Sequence, residues 1–240
     1  MERPDVSIVL PCRNEEAAVG QCIGEAKAFL ERTGLRGEII VVDNGSTDGS
    51  AKAARACGAR IIEEARPGYG QALRAGFAAA EGRVILMGDC DTTYDLNHME
   101  ALYEPLADGR FDMMIGDRFA GGIADGAMPF RHRLGVRVLS ALGRTRTGTD
   151  VRDFHCGLRG LTREAAESLP FRTTGMEFAT EMIALAAQNG LRIGQTPVPL
   201  RRCEKDRRSK LRTWPDGFRH LRYLMNGIPS NQTQEVIHDE

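Results

Sequence analysis

Val6-Ser7-Ile8-Val9-Leu10-Pro11-Cys12-Arg13-Asn14-Glu15 and, one helix later, Glu38-Ile39-Ile40-Val41-Val42-Asp43-Asn44-Gly45-Ser46-Thr47-Asp48 decide the fold of this chain. Each stretch is a short apolar run that breaks at once into polar turn residues. Such runs, rich in β-branched side chains and without polar alternation, suit strands covered on both faces. Between them, Glu15 to about Glu31 has apolar residues at helical spacing. Arg60-Ile61-Ile62-Glu63 and Arg83-Val84-Ile85-Leu86-Met87 read as two further strands, with a helix through about Cys57 and another from Gly68 to about Ala80. Strands alternating with helices predict βαβ units and a mostly parallel α/β sheet flanked by helices.

Beyond Phe111 the pattern is less regular. Met113 to Asp117 reads as a strand, Gly121 to Pro129 as loop, and Val136 to Leu142 as a short helical fragment. Glu177 to Gln188 reads as a helix. Ile193 to Leu200 reads as an edge strand, because Pro197 and Pro199 cannot donate to a ladder. Trp214 to Met225 is a basic amphipathic helix. We expect one domain over residues 1–225 and a polar tail over 226–240.

Composition excludes several classes. Of the 240 residues, 42% are hydrophobic and 27% charged, which is globular and neither disordered nor collagen-like. The longest run without Asp, Glu, Lys or Arg, Tyr223 to Gln234, is mostly polar, so no membrane-spanning helix is expected. Met1 to Asp5 has no apolar core of a leader peptide. Without a leader, the six cysteines are expected to be reduced and the protein cytoplasmic. None forms C-x-x-C, so zinc-ribbon and thioredoxin chemistry are not expected. Net charge is -1, yet residues 201–222 hold nine basic against three acidic residues, a local +6. Such a block points to an anionic ligand or surface, or is simply a solvated face.

Ligands of open parallel sheets bind beyond the carboxyl ends of the strands. Polar clusters fall at those ends here: Pro11-Cys12-Arg13-Asn14-Glu15, Asp43, and Asp89-Cys90-Asp91. Two carboxylates at i and i+2 past a strand can converge on one hard cation, and Mg²⁺ is commonly held by one or two carboxylates plus substrate phosphates. Alone, Asp89-Cys90-Asp91 is a common pattern that reads first as a turn held by its own side chains, and Asp43 reads equally as the start of an Asx turn. Gly68-Tyr69-Gly70 lacks the third glycine of a dinucleotide fingerprint, Leu73 standing in its place. There is no G-x-x-x-x-G-K-[ST], G-x-S-x-G or H-E-x-x-H.

Taken in order, these segments resemble the family-2 glycosyltransferases, whose GT-A fold is a Rossmann-like, mostly parallel sheet flanked by helices. Gly68 to Gly76, Gly116-Asp117-Arg118-Phe119, Asp153-Phe154-His155-Cys156-Gly157-Leu158-Arg159, Thr174-Gly175-Met176-Glu177-Phe178 and Ser209-Lys210-Leu211 resemble, more narrowly, the polyprenyl-phosphate (dolichyl-phosphate) sugar synthases. The resemblance implies a metal-dependent, inverting transfer from a nucleotide sugar, UDP-glucose first, to a polyprenyl phosphate. It implies that Pro11, Arg13, Glu15, Asp43, Gly70 and Cys90 hold the donor. Asp89 and Asp91 match the motif for diphosphate and metal, Mg²⁺ or Mn²⁺. Arg118 and Arg131 resemble arginines near the acceptor phosphate, and Asp153 a carboxylate at the reaction centre. Arg202 and Lys210 match a basic loop over the phosphates, in agreement with the local +6. A phosphate acceptor is already largely dianionic at neutral pH, whereas an alcohol needs a base, for which Asp153 is the candidate.

Two departures favour a soluble acceptor instead. Relatives continue into transmembrane segments, where this chain ends in a polar tail. They also tend to carry an apolar, membrane-contacting helix before Asp153, where Arg144-Thr145-Arg146-Thr147-Gly148-Thr149 stands here. Trp214 to Met225 lies peripherally on the inner face of an anionic membrane in one reading, with Phe218, Leu221, Leu224 and Met225 facing lipid, and docks on the core in the other. A degenerate sugar-nucleotide-binding scaffold and a nucleotidyltransferase are the remaining alternatives. The second lacks the expected Gly-rich, Arg-containing loop after strand one. No nucleic-acid partner is expected, and the oligomeric state is left open.

Overall fold

The computed structural model describes residues 3–203 and 213–227. Its centre is a seven-stranded sheet built from β1 (Val6–Cys12), β2 (Gly37–Asp43), β3 (Arg60–Glu63), β4 (Val84–Met87), β5 (Met113–Asp117), β6 (Arg159–Thr162) and β7 (Ile193–Pro197). The order across the sheet is β3-β2-β1-β4-β6-β5-β7. All pairs are parallel except β4 with β6 and β5 with β6. Helices α1 (Glu16–Thr33), α2 (Ser50–Ala56) and α3 (Tyr69–Ala79) connect the first strands. The apolar runs of β1, β2 and β4 are buried, as expected of strands covered on both faces.

β1 runs two residues past the expected stop, through Pro11. The carbonyl of Cys12 accepts from Asn44 on the β2 side, so the N–H that Pro11 lacks would face β4. β4 pairs only as far as Met87 with Val9, and no ladder bond is lost.

The other half contains α4 (Glu100–Ala107), α5 (Arg118–Gly121), α6 (Phe130–Thr147), α7 (Arg163–Ser168), α8 (Phe178–Gln188), α9 (Thr213–Arg222) and a π-helical turn over Tyr223–Gly227. Three differences from expectation stand out. α6 has 18 residues rather than a fragment over 136–142. Its pattern hides it, because only Val136, Ser140 and Gly143 are buried while Phe130, Leu134 and Val138 face outward. β6 was not anticipated, being four residues with an arginine and a glycine. α4 and α7 were not anticipated either, each being short. β7 is the edge strand expected, ending at Pro197.

The antiparallel direction of β6 matters for the site. Parallel strands deliver their following loops to the carboxyl edge; β6 delivers its preceding loop, Asp153 to Leu158, to that same edge. Arg159, the first residue of β6, is wholly buried. It donates from Nε to the Cys156 carbonyl at 2.7 Å, from Nη1 to Ala179 at 2.6 Å and from Nη2 to Phe154 at 2.6 Å. Removing it leaves three buried carbonyls without these donors. Arg159→Leu is expected to lower stability by about 3 kcal/mol or more in urea unfolding, since each orphaned group costs roughly 1–3 kcal/mol.

Candidate functional site

The candidate donor side begins where β1 and β2 end. Asn14 has φ 51°, a left-handed conformation Asn tolerates better than most residues. That turn aims its side chain at the neighbouring loop: Oδ1 accepts from Thr47 N at 2.7 Å, and Asn14 N donates to Ser46 Oγ at 3.0 Å. Glu15 N donates to Ser50 Oγ at 2.8 Å. Asp43 Oδ1 accepts from Ser46 N at 3.2 Å, which is the Asx-type turn weighed above. Asn44 is buried and reaches the third loop, donating to the carbonyls of Glu64 and Arg66 and accepting from Gly68 N. Three strand-end loops are thereby laced into one surface. Pro11 and Asp43 are half-buried on it, Glu15 is buried and Arg13 is exposed. Beside it, Arg66 and Gln71 donate to Glu64 and hold its carboxyl down at about 2.

Gly70, in the first turn of α3, sits against the 173–178 segment. A Cβ there would lie 2.7 Å from Phe178 Cβ and 2.8 Å from the Thr173 carbonyl. Its neighbour Tyr69 donates its hydroxyl to Asp89 Oδ1 at 3.1 Å. Burial and the Asp89 carboxylate push the phenol well above its ordinary range, so it stays a donor. Asp89 and Asp91 are half-buried and Cys90 is buried between them. Asp91 Oδ1 accepts from the backbone N (3.0 Å) and the hydroxyl of Thr93. The chain returning from β7 meets this turn: Arg201 N donates to the Thr93 carbonyl at 2.8 Å, and its guanidinium pairs with Glu25 and Asp95. Arg202 follows and is exposed. Lys210 lies outside the described residues.

The 153–158 loop adjoins the same carboxylates, because a Cβ on Gly157 would collide with the Asp89 carboxylate. Asp153 is completely buried and clamped by Arg118: Nε to Oδ2 at 2.6 Å and Nη2 to Oδ1 at 2.8 Å. Oδ1 also accepts from His155 N at 3.1 Å. Arg118 is 6% exposed, and Asp117 caps the turn that carries it. Arg131 is exposed on the first turn of α6, while the adjacent His132 is half-buried and held below its ordinary value by burial and by Arg118. Asp153 and Arg118 are thus brought into direct contact, and both oxygens of the candidate base are already engaged. A cavity of about 500 Å³ between α3, α7 and Leu169–Phe171 is lined by Glu64, Arg66 and Gln71 but by none of Asp89, Asp91, Arg118, Arg131 or Asp153.

Four residues at this edge carried no role in the sequence reading: Tyr69, Arg159, His155 and His220. The first three lie inside motifs quoted above, so a signal was present without an assignment. His220 had none. Among the described residues no cluster of three His, Cys, Asp or Glu could hold a metal ion. The hard oxygens of Asp89 and Asp91 fit a cation completed by diphosphate oxygens rather than a closed protein site. Among the described residues, no helix is long and apolar enough to cross a membrane.

This sheet, its single reversed strand and its flanking helices form the GT-A fold. The chain belongs to glycosyl transferase family 2, whose model matches residues 7–169. It is 37% identical to the low-salt glycan biosynthesis hexosyltransferase Agl6 of Haloferax volcanii over 227 residues, 94% of this chain and 54% of that protein. This chain therefore spans about half the length of that relative. It is 30% identical to the dolichyl-phosphate hexose transferase of the same organism over 197 residues, 82% of this chain and 83% of the relative. Among solved structures it is similar to glucosyl-3-phosphoglycerate synthase of Mycobacterium tuberculosis in complex with Mn²⁺, UDP and glucosyl-3-phosphoglycerate. The TM-score is 0.77 at 26% identity, covering 95% of this chain and 82% of that one. The same enzyme with Mg²⁺ and UDP gives 0.76 at 25%, covering 95% and 81%.

Asp153→Asn is expected to destabilise the fold by about 3–5 kcal/mol, because it leaves the Arg118 charge buried without its counter-charge. Asp153→Asn with Arg118→Met should recover part of that loss in the same urea titration. Recovery that fails to appear would mean the pair is not the source of the effect.

Proposed function

We infer that the chain transfers a hexose, glucose from UDP-glucose first, to a polyprenyl phosphate with inversion at the anomeric carbon. Residues 1–225 act as one catalytic unit and 226–240 as a polar tail. The observation that carries the acceptor choice is the Arg118–Asp153 clamp. A carboxylate engaged by a guanidinium on both oxygens is a poor general base, and a phosphate acceptor needs none. Its second pKa is about 6, so its attacking oxygen is anionic at pH 7. The dolichyl-phosphate hexose transferase relative supports the same acceptor class.

In this reading Pro11, Arg13, Glu15 and Asp43 receive the nucleoside, and Gly70 lets the chain pass close to the sugar. Asp89 and Asp91 would hold Mg²⁺ or Mn²⁺, which supplies positive charge to the departing diphosphate. Arg202 and Lys210 add charge on the same group. Arg118 and Arg131 orient the acceptor phosphate for attack from the opposite face. Asp153 keeps the Arg118 fork in place.

A peripheral membrane contact accompanies this reading. Phe130, Leu134 and Val138 on α6, and Phe218, Leu221 and Met225 on α9 and the turn after it, are the exposed large hydrophobic residues among the described ones. They recur at helical spacing on two helices that touch each other. Arg131, Arg137, Arg219 and Arg222 are exposed on the same helices. Two expectations change. Arg144 to Thr147 are only the last turn of a helix whose earlier turns expose an apolar stripe. Leu224, expected to face lipid, is fully buried. A soluble phosphorylated acceptor is the second reading, favoured by the likeness to glucosyl-3-phosphoglycerate synthase.

The test is UDP or GDP release from a panel of nucleotide sugars with Mg²⁺ or Mn²⁺, with and without a short polyprenyl phosphate. Release that needs both metal and lipid phosphate is expected; release stimulated only by phosphoglycerate supports the second reading. Asp91→Ala should remove turnover while circular dichroism shows the fold intact, and unchanged activity would refute the metal role. Anionic vesicles should sediment the protein, and Phe130→Ser with Phe218→Ser should keep it in the supernatant.

A further inference from the structure

His155 sits two residues past Asp153, and its backbone N–H is one of the donors to the Asp153 carboxylate. Both nitrogens of its ring are buried with no hydrogen-bond partner among the described residues. Its ring lies edge-on to His220 of α9, with centroids 4.4 Å apart and planes at 77°. His220 is 4% exposed, and its Nδ1 shares a 2.7 Å hydrogen bond with the hydroxyl of Thr180 on α8.

Among the described side chains of α9 and the turn after it, few are buried against the rest of the protein, and Arg146 of α6 donates to the Leu224 carbonyl at 3.1 Å. Between Phe218 and Gly227, only His220 and Leu224 are buried. Leu224 is an ordinary apolar anchor. A histidine beside it is not, because burying an imidazole costs free energy that a leucine or phenylalanine in the same space would not. The anchor that carries this cost is the one whose ring meets the reaction-centre loop.

We propose that His220 is a positioning residue for sugar transfer: through its contact with His155 it holds the 153–156 loop in the shape in which Asp153 clamps Arg118. The role rests on the transfer reading given above. The rest of that loop is fixed from below. Arg159 binds the carbonyls of Phe154 and Cys156, and Phe154 N donates to Ser140 Oγ at 3.1 Å. The His155 side chain is the loop's handle on α9. A shift of the backbone at residue 155 that followed loss of this handle would carry the residue's amide N–H away from Asp153 Oδ1 and loosen the clamp from the carboxylate side.

The contact requires neutral rings. Burial, His220 itself, and Arg118, Arg159 and His132 acting from α5, β6 and α6 each oppose a positive charge on His155. Burial and Arg159 push His220 down to about 4. Asp153 is already paired with Arg118, and Glu181 on α8 accepts from Arg172, Thr173 and the Thr173 hydroxyl. Burial and Glu181 push the Tyr223 phenol in the following turn well above its ordinary range, so it stays uncharged. Docking is therefore complete above the ordinary histidine value of 6.5 and weakens as pH falls from 6.5 toward 4, where the undocked rings take up protons first.

The experiment compares wild type, His220→Ala and His220→Phe in transfer from UDP-glucose, with Mn²⁺, to a short polyprenyl phosphate and to phosphoglycerate. His220→Ala is expected to lower kcat about 10-fold while the KM for UDP-glucose stays within about twofold, the signature of a shifted reacting geometry. His220→Phe puts a neutral ring edge back against His155, and should restore most of kcat and make its fall between pH 6.5 and 4 shallower than in wild type. Wild-type kcat in His220→Ala overturns the role. So does a loss that His220→Phe does not repair, or an acid limb identical in wild type and His220→Phe. A wild type inactive toward both acceptors overturns the transfer reading and this role with it; an active wild type matched by His220→Ala overturns this role alone.

Discussion

The site depends on one buried guanidinium. Arg159 begins β6, the only strand among the described residues that runs against its neighbours, and its three hydrogen bonds to carbonyls tie the loop before it to α8. Burial lowers its pKa without making it neutral, because an arginine loses its proton only far above physiological pH. A buried positive charge aimed at carbonyl dipoles fixes a loop more firmly than apolar packing, since every alternative loop shape strands the charge. Asp153 can be held completely buried because the backbone around it has nowhere else to go. Arg118 in turn is held because Asp153 is.

The candidate donor side is built on the opposite principle. Asn14, Ser46 and Thr47 near the solvent, and Ser50 and Asn44 buried beneath them, bind neighbouring loops with neutral hydrogen bonds. Each contributes little, about 1 kcal/mol. Together they set the relative positions of Pro11, Asp43 and the 64–68 loop. A surface that must admit and release a large charged ligand gains from many weak ties. A reaction centre gains from few strong ones. The two meet at Gly157, where the absence of a Cβ lets the Asp153 loop approach the Asp89 carboxylate.

The parallel half was legible because its signals are local: apolar runs of strand length, each ending in polar turn residues. The carboxyl-edge clustering of Glu15, Asp43, Asp89 and Asp91 followed from strand direction alone. β6 was not legible, since four residues containing a buried arginine and a glycine carry no strand pattern. Nor was the length of α6, because its apolar stripe faces outward and its inward face is Val136, Ser140 and Gly143. Periodicity reports a helix only when its buried and exposed faces differ in the usual sense. Asp153 looked like a base because a carboxylate in a motif does; its partner is 35 residues away, and no local pattern encodes that pairing.

That pairing also bears on how the acceptor is chosen. An open carboxylate beside the anomeric carbon would serve an alcohol but repel a phosphate dianion. Clamped by Arg118, the same carboxylate has its charge offset at contact distance, and His132 and Arg131 stand on the neighbouring helix. In the proposed transfer reading, the balance there shifts from repelling an anion to accepting one. In that reading, pairing changes selectivity without changing the residue. It follows that separating Asp153 from Arg118, by whatever loosens the 153–156 loop, would weaken phosphate acceptance and free a base in the same movement.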